Sequence, residues 1–323
     1  MTAGRTRGPG RPDHRGDGDG WTRCEQGHRH WGLFGASGLL LQRPAGDSVE
    51  VLLQHRAEWS HHGGTWGLLG GARESSETAV QAALREAAEE GGVDVESVTV
   101  HGRFDDPHGG WAYTTVLGTA PVDAPARPTG GESIDVGWFS PADVDRLPLH
   151  PGFSTSWPAL RDALRPLTVV VDAANVVGSR PDGWWRDRAG AARRLVADLT
   201  PLAADGLPDA RLPDDLPRAG LSHWWPRVVV VVEGAARAAA EEASDHPGMV
   251  VVAAAGSGDD AVADAAAAAA APGGPAGDPP GGPAGVPPGA PVLVVTADRE
   301  LRRRVASTGA AVTGPGWLEP FRG

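Results

Sequence analysis

The chain has 323 residues, and its 41 acidic against 29 basic side chains give a net charge of -12. That length fits two domains, and the charge excludes a general basic surface for nucleic acid. A single cysteine, Cys24, excludes an internal disulfide and fits a reducing compartment. No apolar run approaches the ~18 residues of a membrane span, and the opening stretch has no apolar core for a secretory signal. A cytoplasmic protein with no membrane partner is therefore expected.

In chain order, residues 1–22 are rich in Gly, Pro and charge, and residues 1–29 are expected to form a disordered tail. Within it, Cys24-Glu-Gln-Gly-His28-Arg-His30 carries zinc-type ligands. They number only three, with no C-x2-C pair elsewhere, so a turn entering the first strand is the reading preferred. Residues 33–41 and 49–55 read as strands joined by a Pro/Gly turn. After the segment Trp59–Gly71 a helix is expected. Thr78 and Gln81 form a capping box, and Val80, Ala83, Leu84 and Ala87 recur at helical spacing. Glu86, Glu89 and Glu90, spaced i, i+3, i+4, share the opposite face. Carboxylates that close raise one another's pKa, and a hard divalent cation with oxygen ligands relieves the repulsion. Residues 97–104 and 111–118 read as paired strands, and 140–164 as a closing helix and tail.

Residues Gly71 to Val93 fit the pattern G-x5-E-x7-R-E-U-x-E-E-x-G-U, where U is a bulky apolar residue. Gly71, Glu77, Arg85, Glu86, Glu89, Glu90, Gly92 and Val93 all fall in place, and only Ala87 is small for its slot. This is the Nudix box, and residues 30–165 resemble a Nudix hydrolase. The resemblance implies an α/β/α sandwich with a mixed sheet. It also implies Mg2+ (or Mn2+) held by Glu86, Glu89, Glu90 and the Gly70 carbonyl. Glu132, before Trp138, is the candidate fourth carboxylate. Arg85 and Glu77 are expected to brace the loop against the helix. The family usually carries proline where Leu69 stands, which loosens any argument about loop rigidity without touching the acids.

The second half, 167–323, reads as apolar strands alternating with helices, a mainly parallel α/β sheet. Its strands are LTVVVD, PRVVVVVE, GMVVVA and PVLVV, and acids follow each of them. Gly206–Leu221 and the Pro/Gly stretch at 272–291 are expected as loops, the latter disordered. The segments VVVDAANV (169–176), GSGDDAV (256–262) and VVTADRELRRRV (294–305) resemble PIN-like nucleases of the NYN type, whose fold is Rossmann-like. By position, Asp172, Asp259 or Asp260, and Asp298 are the implied metal-binding acids, supported by Asn175, with Glu233 nearby. Helix capping is the ordinary explanation for Asp260 and Asp298. It suits Asp172 less well, because DAANVVG does not read as a helix start.

The function expected is Mg2+-dependent hydrolysis of a nucleoside diphosphate linked to another moiety, with RNA as a possible partner of the second half. The alternatives are a nucleotide-sensing regulator, or an RNA-processing protein using both halves. Trp184, Trp185, Trp224 and Trp225 could stack bases, although paired tryptophans are more often packing.

Overall fold

Central strands buried on both faces organise the first half of the computed structural model, which describes residues 16–46, 48–180, 183–216, 218–240, 246–271 and 290–321. Its elements are β1 (Trp21–Arg23), β2 (Arg29–Trp31), β3 (Ala36–Ala45), β4 (Ser48–Arg56), β5 (Trp66–Gly67), β6 (Leu69–Ala72), α1 (Ala79–Gly91), β7 (Thr99–Pro107), β8 (Ala112–Thr119), β9 (Ser133–Phe139), α2 (Pro141–Val144) and α3 (Pro151–Asp162). β3 runs parallel to β8 and antiparallel to β4 and β6, so the sheet is mixed. Leu39 and Leu41 face α1 with Leu52, Leu69, Ala83 and Ala87. Leu40, one position away, faces α3 with Leu53, Phe153, Trp157 and Leu160.

The second half contains β10 (Thr168–Asp172), α4 (Ala173–Gly178), α5 (Arg188–Ala204), β11 (Leu207–Pro208), β12 (His223–Trp224), β13 (Arg227–Val232), β14 (Met249–Ala253), α6 (Gly258–Ala270), β15 (Val292–Val295), α7 (Arg299–Ala306) and β16 (Ala311–Thr313). Five strands form a wholly parallel sheet in the order β14-β13-β10-β15-β16. Both faces are covered, which is why the strands read as unbroken valine runs. Val170, Val229 and Val294 pack on α6 and α7, and Val169, Val171 and Val230 pack on the α5 side.

The halves are not separate bodies. Trp224 of β12 pairs with Gly102 of β7, extending the first sheet with residues from the second half. The core behind β3 runs without a break through α3 into β10 and α5. Gly206–Leu221, expected as a plain loop, is pinned by buried Leu207, Leu212, Leu216 and Leu221. Those leucines follow neither helical nor strand period, so periodicity gave no sign of them.

Two further expectations need correction. Residues 16–29 of the expected tail are folded: β1 and β2 form a hairpin, and Asp17 accepts the Ser75 amide at 2.9 Å. Trp21 and Trp31, paired across the hairpin with rings 5.5 Å apart, supply the apolar contact that the composition did not announce. DAANVVG is a helix, α4, capped by Asp172. Residues 1–15 and most of the Pro/Gly stretch at 272–291 lie outside the described residues. Among the described residues no helix is long and apolar enough to cross a membrane.

Candidate active site

α1 begins with the expected capping box, Thr78 Oγ1 accepting the Gln81 amide and the Gln81 side chain accepting the Thr78 amide. The acids do not all sit on a face opposite the apolar stripe. Glu90 is among the buried residues of the helix, while the Glu89 side chain is 61% exposed. Glu90 Oε2 accepts from the Gly70 amide and from Gln54 Nε2, both at 2.9 Å. Gln54 Nε2 also donates to the Leu68 carbonyl at 2.8 Å, and its oxygen accepts Ser133 Oγ at 2.6 Å. Gln54 and Ser133 are thus part of the site, and nothing in their sequence context singled them out.

Arg85 ties the box loop to the helix. Nε meets Glu77 Oε1 at 2.7 Å, Nη2 meets Glu77 Oε2 and the Ala72 carbonyl at 3.0 Å each, and Nη1 meets Glu86 Oε1 at 2.8 Å and Glu89 Oε2 at 3.3 Å. This bidentate fork demands arginine. It holds Glu77 below the ordinary carboxylate range. Gly71 passes so close beneath the helix that a Cβ there would fall 2.5 Å from Glu86 Oε1.

Burial raises the other carboxyls. Glu90 is pushed up to about 8 by desolvation and then by Glu86. Glu86 is pushed up to about 7 by desolvation, opposed by Arg85 and reinforced by Glu89 and Glu132. Glu132 therefore lies within electrostatic reach of both. Arg56 holds Glu90 back, and it adds to burial in lowering His61 and His150, which cluster with His62. Leu69, at the position where proline was expected, is fully buried in β6 against the α1 core.

At the carboxyl edge of the parallel sheet, Asp172 Oδ1 caps α4 through the Asn175 amide at 3.0 Å, and Oδ2 accepts Thr296 Oγ1 at 2.9 Å. Asn175 Oδ1 accepts the Ala297 amide at 2.8 Å, joining the ends of β10 and β15. Burial raises Asp172, and Asp259 and Glu233 add to the shift. Asp259 is raised by burial and then by Asp298 and Glu233. Glu233 accepts the Gly258 amide at 2.8 Å, and Asp298 caps α7. Asp260 turns away to Arg304 at 2.8 Å.

A chain with this sheet, this helix and these acids belongs to a recognisable class, and comparison with known proteins supplies it. The NUDIX domain matches residues 34–162. A putative 8-oxo-dGTP diphosphatase 3 from Mycobacterium tuberculosis is 48% identical over 164 residues, covering 48% of this chain and 73% of the relative. A nucleoside triphosphate pyrophosphatase/Nudix hydrolase fusion protein from Bifidobacterium longum is 41% identical over 146 residues, covering 44% of this chain and 30% of that one. The structure is also similar to a Nudix hydrolase from M. smegmatis, RenU, at 46% identity and TM-score 0.43, covering 45% of this chain and 94% of that one. The chain belongs to the Nudix family and is a Nudix hydrolase.

Proposed function

We propose that the first half, about 30–165, is a Mg2+-dependent pyrophosphohydrolase acting on a nucleoside diphosphate linked to another moiety, foremost a nucleoside triphosphate. The observation that carries this is the gathering of Glu86, Glu89 and Glu90 around one braced loop, Arg85 tying Glu86 and Glu89 to Glu77 and Glu90 Oε2 accepting the Gly70 amide at 2.9 Å. An all-oxygen, over-charged set of this kind fits a hard divalent cation, with Glu86, Glu89, Glu90 and the Gly70 carbonyl as ligands and Glu132 completing the set. When bound, the cation neutralises the diphosphate and acidifies the attacking water. The chain's own part is to hold the acids in register through Arg85 and Glu77. A glutamate of the set takes the proton from the water as its oxygen attacks phosphorus and the bridging P–O bond breaks. The name of the M. tuberculosis relative makes 8-oxo-dGTP the first substrate to try.

The test is hydrolysis by the purified full chain, with Mg2+ and with Mn2+. The substrates are 8-oxo-dGTP, ordinary nucleoside triphosphates, dinucleoside polyphosphates, ADP-ribose, nucleotide sugars and capped RNA. Metal-dependent release of a nucleotide product from one class is expected, and inertness towards all of them would overturn the reading. The retained acids favour catalysis over nucleotide sensing.

A second reading concerns residues 167–323, which we propose form a PIN-like, NYN-type unit acting on RNA. It is supported by the sheet order, in which β10 lies between β13 and β15 and the chain reverses direction across the sheet. Ligands of such sheets bind at that reversal, beyond the strand carboxyl ends. Asp172, Glu233, Asp259 and Asp298 influence one another there.

A further inference from the structure

The N-terminal hairpin gathers side chains that the hydrolase chemistry does not use. Gly27 takes φ 83°, a left-handed value that closes the turn. Its amide donates to the Cys24 carbonyl at 2.9 Å, and the Cys24 amide donates to the His28 carbonyl at 3.1 Å. His30 follows two residues later on β2, its ring 6.3 Å from that of His28. One ligand atom from each of Cys24, His28 and His30 lies within 4.8 Å of the others. Cys24 is a free cysteine only 5% exposed, and His30 Nε2 is buried with no hydrogen-bond partner. A buried imidazole nitrogen without a partner is a cost to the fold unless something else occupies it.

A distant segment closes over the cluster. The Glu25 amide donates to the Gly109 carbonyl at 3.0 Å, which docks the hairpin turn on the tip between β7 and β8. That tip brings the His108 ring to 4.7 Å from the His30 ring, and Trp111 stacks on His30 at 4.1 Å. The fold brings a further imidazole from a hairpin far along the chain beside these three ligands; its Nε2 lies 3.3 Å from Asp106 Oδ2, which leaves Nδ1 as its free donor.

We propose that Cys24, His28 and His30, closed by His108, form a structural zinc site separate from the box glutamates. One thiolate with three imidazoles suits zinc in a closed four-ligand site and does not suit Mg2+, which demands oxygen. The site locks the hairpin to the β7–β8 tip. The same hairpin reaches the box loop through Asp17 and Ser75, and its Trp21 ring lies 5.6 Å from that of His61. Zinc here therefore steadies the flank of the box loop without joining the reaction.

The test is the metal content of the full chain purified without chelator. We expect one zinc ion per chain that survives dialysis. Cys24→Ser and His30→Ala should weaken its retention by at least ~10-fold, the loss seen even for outer groups around a metal. His62→Ala, in the other histidine cluster, and Glu89→Gln should keep it. Because Cys24→Ser could fold poorly, cobalt substitution of the unaltered chain gives a second readout. A thiolate-to-cobalt charge-transfer band with tetrahedral d–d absorption is expected. Absence of bound zinc, absence of the thiolate band, or zinc loss that follows His62→Ala would overturn the site. Unchanged zinc retention and an unchanged cobalt spectrum in His108→Ala would overturn the fourth ligand.

Discussion

The Glu90 carboxyl accepts the Gly70 amide and the Gln54 side chain through the same oxygen, Oε2, each at 2.9 Å. A glutamine at this position can keep both bonds through its carbonyl oxygen and place its amide where the second oxygen lies. Glu90→Gln is therefore expected to fold without loss. It should also become more stable than the unaltered, ion-free chain as pH rises. The sign follows from the raised pKa: folded Glu90 holds its proton to about 8. The stability this confers is full below the unfolded value of 4.5 and is lost as pH rises through about 8. By pH 9 the variant should lead by ~1 kcal/mol or more in urea unfolding. A stability difference that does not change between pH 5 and pH 9 would show that Glu90 is not a strained buried acid.

Glu89, one residue earlier, is exposed, so Glu89→Gln should change stability by no more than ~0.5 kcal/mol. If it is a metal ligand, turnover should nevertheless fall ~10²-fold or more, the scale of losing a key electrostatic group. Wild-type turnover in the purified variant would remove the box helix from the chemistry.

Cation binding should release protons. With Glu86 and Glu90 raised to about 7 and about 8, both are partly protonated near pH 7 and must ionise to hold Mg2+. Titration calorimetry at pH 7 in buffers of different ionisation enthalpy should show net proton release, shrinking by pH 9. Proton uptake, or none, contradicts the shifts.

The joint between the halves carries its own expectation. Trp224 is 1% exposed, lies between β11 and β7 in the first sheet, and donates Nε1 to Asp209 at 3.0 Å. Trp224→Ala should cost ~3–5 kcal/mol. Because the core is continuous through α3 and β10, the loss should appear in the unfolding of both halves. A melt in which the first half is untouched would mean the halves are energetically independent.

How much was legible depended on the range of the interactions. The capping box of α1, the spacing of its acids and the valine strands of the second sheet are local patterns, and they were readable. The Gln54–Glu90 bond joins residues on different elements with no motif between them, so it was not. The same is true of His108 beside His30 and of Trp224 beside Gly102. Helical spacing puts Glu90 with Glu89 on one face because it fixes direction around the axis but not which strand lies beneath. Ala-Ala-Asn-Val-Val is a poor helix start, so Asp172 has little standing as a cap in the sequence alone. In the fold its carboxylate caps α4 and also holds Thr296.

Asp172 is also where the second half can be tested. Its carboxylate serves a local purpose as a cap, which any Asp or Asn could meet. Capping gives no reason for Asp259 and Asp298, from two other segments, to lie in the same electrostatic field, nor for Asn175 to join the ends of β10 and β15. A metal-dependent nuclease gives such a reason, because ions that clamp a scissile phosphate need carboxylates from several strand ends. Asp172→Asn keeps the cap and the volume while removing one negative charge. It should therefore leave the melting temperature close to that of the unaltered chain. If the edge is catalytic, single-stranded RNA should be cleaved slowly with Mn2+ or Mg2+. Asp172→Asn should lower that rate by ~10²-fold or more, while Glu89→Gln leaves it unchanged. RNA cleavage that persists in Asp172→Asn, or that vanishes in Glu89→Gln, would place the activity elsewhere in the chain.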